Sequence, residues 1–139
     1  MNISSYADLL SAAKRQAEPQ RLLFVFASAE LPGTHDASQK ERFDARQGGV
    51  LLPVMCVDKL PGELGDFASL VEESRHTGTP WDVVFAASLG GRAGVIPSAA
   101  DAEQPLKRMI AAIQAGSVQG FLAFDRQGEL LRLSGTTAP

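Results

Sequence analysis

Residues 22–27 read Leu-Leu-Phe-Val-Phe-Ala, an apolar run without a break. A run this short, and this rich in aromatic and aliphatic side chains, fits a strand covered on both faces, as at the centre of a helix-flanked sheet. Two further stretches match it. Val50–Val57 (VLLPVMCV) and Trp81–Leu89 (WDVVFAASL) are both dominated by β-branched, aromatic or aliphatic residues. Pro53 lacks a backbone N–H, so the second of these strands belongs at a sheet edge or carries a bulge.

Helical patterns separate the strands. Ser5–Gln16 places Tyr6, Leu9, Leu10 and Ala13 at helical spacing, and Glu18-Pro19 ends it. Asp36–Arg46 reads as a short polar helix with a Ser38–Glu41 capping box. Pro61–His76 has an apolar face of Leu64, Phe67, Ala68 and Val71, with Pro61 in the first helical position and Gly78 as the stop. A last helix starts at Asp101 or Gln104 and runs to Ala115, with Pro105 in its first turn and Leu106, Met109, Ile110 and Ile113 on its buried stripe. Phe121–Phe124 and Glu129–Leu133 then read as two strands about Arg126-Gln127-Gly128.

Strands alternating with helices predict an α/β fold. The expectation is one domain over residues 1–133 with a largely parallel or mixed five-stranded sheet, flanked by helices and closed by a C-terminal β-hairpin. Residues 134–139 are expected to be a flexible tail. A ferredoxin-like α+β fold is the alternative, because few helices can instead cover one face only.

Composition narrows the function classes. The chain has 139 residues, 45% hydrophobic and 21% charged, which suits one folded domain and not a disordered chain. A formal net charge of -3 argues against nucleic acid as a partner, since such binding concentrates positive charge. The apolar run at 22–27 is far shorter than the roughly 20 residues of a membrane-spanning helix, so no membrane is expected. The first residues carry no basic stretch followed by an apolar core, and Cys56 is the lone cysteine. Both fit a reducing cytoplasm. No Gly-x-Gly-x-x-Gly follows the first strand, and there is no Walker A sequence, Gly-x-Ser-x-Gly elbow or Cys-x-x-Cys pair. His35 and His76 have no ligand partner at metal spacing. Neither a cofactor nor a metal is expected.

In parallel α/β sheets, ligands bind beyond the carboxyl ends of the strands. That edge would collect Ser28, Glu30, Asp58, Lys59, the Ser88–Gly94 segment and Asp125. Gly90, Gly91, Arg92 and Gly94 form its sharpest feature. Glycines let N–H groups turn toward an anion, and Arg92 adds a bidentate contact. The same loop also reads as a plain mobile connection. Gly90, Gly91, Arg92, Gly94, Asp58 and Lys59 are the candidate ligand-binding residues. Cys56, Asp58 and His35 are the candidates for catalysis. Cys56 in an apolar strand also reads as a small buried hydrophobe, and as a nucleophile it needs a nearby cation or helix N-terminus. Asp58, on the same strand face by alternation, works against that activation.

At Met55–Lys59, Trp81–Phe85, Asp101–Leu106 and Phe124–Gly128 the chain resembles a group of small uncharacterised bacterial proteins, some labelled "ribonucleotide reductase subunit alpha". The resemblance implies a bacterial, cytoplasmic origin. It transfers no catalytic residue. Such a reductase subunit uses a radical cysteine, and usually a redox-active cysteine pair, inside a large α/β barrel, and one cysteine in 139 residues does not supply them.

The leading expectation is a non-catalytic binding or assembly module, pairing with itself as a homodimer or with another protein, through the Pro53 strand or the C-terminal strands. An exposed strand edge is what natural proteins pair or protect. The alternative is a small enzyme or ligand sensor that binds a small anionic metabolite at the strand-end loops. A redox sensor at Cys56 is a third class.

Overall fold

The computed structural model of the chain describes residues 5–30, 50–118 and 120–131. The short polar helix expected over 36–46, His35 and the 134–139 tail lie outside them. Helix α1 spans Tyr6–Lys14, and the Ser5 side chain caps it by accepting from the Asp8 N–H. Strand β1 spans Gln20–Glu30 and β2 spans Val50–Lys59. Helix α2 covers Phe67–Arg75, β3 Val83–Gly90 and α3 Ala99–Gln114. Short strands β4 (Leu122–Phe124) and β5 (Leu130–Leu131) complete the order.

The five strands form one sheet in the order β2-β1-β3-β4-β5, and every neighbouring pair is antiparallel. This corrects the expected largely parallel sheet. The βαβ pattern is present, since β2 and β3 both oppose β1 and so run the same way. However, β1 lies between them, and the parallel neighbours implied by the alternation never touch. The described residues therefore form a small mixed α/β domain with an antiparallel five-stranded sheet and three α-helices.

Two cores form because β1 alternates. Leu22, Phe24 and Phe26 pack with Tyr6, Leu9 and Ala13 of α1 and Leu70 of α2. Leu23, Val25 and Ala27 pack with Ala102, Leu106, Met109 and Ile113 of α3. Helices thus cover both sheet faces, unlike the one-sided α+β alternative. Trp81 seals the first core. Its ring meets Phe26 edge-on at 5.0 Å, and its indole N–H donates to Ser74 Oγ at 2.8 Å.

Two helices differ from their sequence reading. The segment expected as one helix over 61–76 is a 3-10 turn at Pro61–Glu63 and then α2 from Phe67. Gly62 and Gly65 weaken continuous helix, and the Asp66 carboxylate caps a new start by accepting from the Ser69 N–H at 2.9 Å. Helix α3 begins earlier than expected because Ser98 and Asp101 form a reciprocal capping box, which leaves Pro105 in the helix interior.

Strand β2 is the end strand of the sheet among the described residues. Its register against β1 slips between Phe26 and Ala27: Met55 pairs with Phe26 and Pro53 with Ala27, leaving Val54 as the bulged residue. Pro53 therefore sits at both an edge and a bulge.

Candidate functional site

An antiparallel sheet sends successive strand ends to opposite sides, and this divides the expected strand-end cluster. Gln20 pairs with Gly90 and Leu22 with Lys59, so the ends of β2 and β3 meet at the start of β1. Ser28 and Asp125 lie at the other end, where β1 and β4 finish. Asp125 is occupied in its own turn, accepting from the Gln127 and Glu129 N–H groups.

At the near end, Asp58 and Lys59 point to opposite faces. The Asp58 carboxylate is held by Arg21 Nη1 at 2.5 Å, with both side chains mostly buried. Arg21 Nε also donates to the Pro97 carbonyl at 2.7 Å. Arg21 therefore ties the end of β2 to the segment leading into α3. Lys59 Nζ reaches Glu73 of α2 at 2.6 Å on the other face. This geometry gives Asp58 a bracing role between β2 and β1. Asp101 is also close enough to Arg21 to have its carboxyl lowered, mainly by hydrogen bonds from Ser98 and in lesser part by that positive charge.

The glycine loop is a tight turn. Arg92 and Val95 bridge, the Val95 N–H donates to the Arg92 carbonyl at 2.9 Å, and the central residues have positive φ, 52° at Ala93 and 77° at Gly94. Two positive φ values mark a type I′ turn. Gly91 is required by contact: a Cβ there would stand 2.0 Å from the Val95 carbonyl oxygen. Two of the loop's backbone donors are already used. The Gly91 N–H donates to the Pro19 carbonyl, and the Gly94 N–H donates to the Glu18 carboxylate at 2.7 Å. Gln20 and Ser88 join their side chains beside it. Arg92 itself is exposed.

Between this turn and α1 runs an open groove of about 430 Å³ whose lining includes Lys14, Glu18, Pro19, Leu60, Pro61 and Ile96. Sequence reasoning did not single out Glu18, Arg21 or the groove. Arg21 shares a β1 face with Leu23 and Val25, but its meeting with Asp58 needs the β1–β2 register, which spacing alone does not give.

Cys56 is exposed, contrary to its reading as a buried hydrophobe. It lies opposite Val25, on the α3 side of β2. Nearby, Leu52 is 44% exposed and Val54 36% exposed. Val95 and Ile96, the other two large exposed apolar residues among those described, lie at the end of the sheet where β2 finishes. Scattered single apolar residues on a surface are ordinary, but a row along a strand edge is a feature that sheets normally avoid. Among the described residues no group of three or more His, Cys, Asp or Glu side chains is placed to hold a metal, and no helix is long and apolar enough to cross a membrane.

Comparison with protein-family models, curated proteins and solved structures gave no match to the chain.

Proposed function

We propose that the chain is a non-catalytic assembly module that joins a second copy of itself by strand addition at the β2 edge. The observation behind this is the edge itself: a ten-residue strand at the sheet boundary, uncharged from Val50 to Val57, with Leu52, Val54 and Cys56 exposed along it. Main-chain groups on such an edge supply affinity to an added strand, and the alternating side chains supply selectivity. Ion pairing favours this reading over the strand-end site, since Asp58, a candidate for catalysis, is held by Arg21, and Lys59, a candidate for ligand binding, is held by Glu73. The resemblance noted above and the lone cysteine support a bacterial cytoplasmic setting for this reading.

The test is sedimentation of the wild type and of Val54→Lys over a range of concentrations. Val54 packs against neither core, so lysine there charges the edge while leaving the fold intact. A reversible dimer in the wild type and a monomer in the variant are expected. A wild type that stays monomeric at high concentration overturns the proposal.

One observation favours a second reading. The Gly94 N–H already holds a carboxylate, that of Glu18, beside the exposed Arg92. A small anionic metabolite competing for this position would make the chain a ligand sensor. A ligand at 100 times its dissociation constant would stabilise the fold by about 2.7 kcal/mol. A thermal-shift screen of organic acids and sugar phosphates checks this, and absence of any shift that Arg92→Ala abolishes removes it.

A further inference from the structure

We draw no further inference here: the strongest candidate, the open groove between the end of α1, the Arg92–Val95 turn and the Leu60–Glu63 segment, has walls of Pro19, Leu60, Pro61 and Ile96, and nothing in the structure shows what covers it.

Discussion

Replacing Tyr6 by phenylalanine should stabilise the protein, increasingly so in alkali. The Tyr6 side chain lies among the rings of Phe24, Phe67 and Phe124, with centroids 6.4, 5.2 and 6.1 Å away. Its hydroxyl is buried without a hydrogen-bond partner. An unsatisfied buried hydroxyl costs about 1–3 kcal/mol of lost hydration, and phenylalanine keeps the ring contacts while removing that cost. Part of the gain is lost to the small space left by the oxygen, so a net stabilisation of about 1 kcal/mol is expected near neutral pH. The pH dependence has a definite sign. Burial, followed by the negative charges of Asp66 and Glu73, raises the phenol from 10.0 to about 12 in the folded chain. Below pH 10 both states keep the proton and the folded state has its full stability. Between pH 10 and 12 only the unfolded chain ionises, and wild-type stability falls by about 1.4 kcal/mol per pH unit. The variant lacks this loss, so its advantage should widen by about 1.4 kcal/mol from pH 8 to pH 11.

The assay is urea unfolding at several pH values, followed by the fluorescence of Trp81, the sole tryptophan. Tyr6 is the sole tyrosine, so the ultraviolet absorbance of its phenolate titrates this one group. A native midpoint at the ordinary tyrosine value would refute the burial argument. A variant less stable than the wild type at neutral pH would show that the hydroxyl has a partner.

The other predictions concern the braces around the strand ends. Gly91→Ala must push its methyl into the Val95 carbonyl, and it should cost about 1–3 kcal/mol by thermal unfolding. Arg21→Met and Asp58→Asn should couple in a double-mutant cycle by about 1–2 kcal/mol, between the usual values for exposed and buried pairs, and the coupling should survive added salt. Ser98→Ala removes the α3 cap and should cost about 1 kcal/mol. The Asp101 carboxyl is lowered by the same cap, so its contribution is complete above the ordinary carboxylate pKa and disappears as pH falls through the lowered one. The difference between wild type and Ser98→Ala should therefore shrink in acid.

What the sequence disclosed follows from how local each signal was. The strand at 22–27 was legible because its neighbours on both faces are apolar helices, and such burial writes an unbroken apolar run. Pro53 announced the edge because a missing N–H has few places to go. The direction of the strands was not legible. A strand-helix-strand pattern reads the same whether its two strands are adjacent or have β1 between them, and only the pairing of Leu22 with both Lys59 and Ser88 settles it. The same gap scattered the expected site. Asp58 and Arg92 did reach one end of the sheet, while Asp125 went to the other because β4 reverses direction. The glycines of 90–94 were visible as a turn. Their donors' occupancy was not, because Pro19 and Glu18 reach them from far along the chain.

These observations bear on why the edge, and not the strand ends, is the better place to look for function. At the strand ends the polar groups satisfy one another: Arg21 with Asp58 and Pro97, Lys59 with Glu73, Glu18 with Gly94. A ligand arriving there must displace a contact for each one it makes, which leaves little net free energy for binding. The β2 edge has the opposite character. Its outward main-chain groups have no strand partner among the described residues, and Leu52 and Val54 are in water, so an added strand gains ladder bonds and apolar burial without breaking contacts in the protein. Proteins that do not use such an edge usually charge or twist it. Here the bulge at Val54 twists it and Pro53 removes one donor, yet no charge interrupts it before Asp58. These features restrict which strands can dock and leave docking itself open. An edge that is selective but not blocked is what an assembly surface requires.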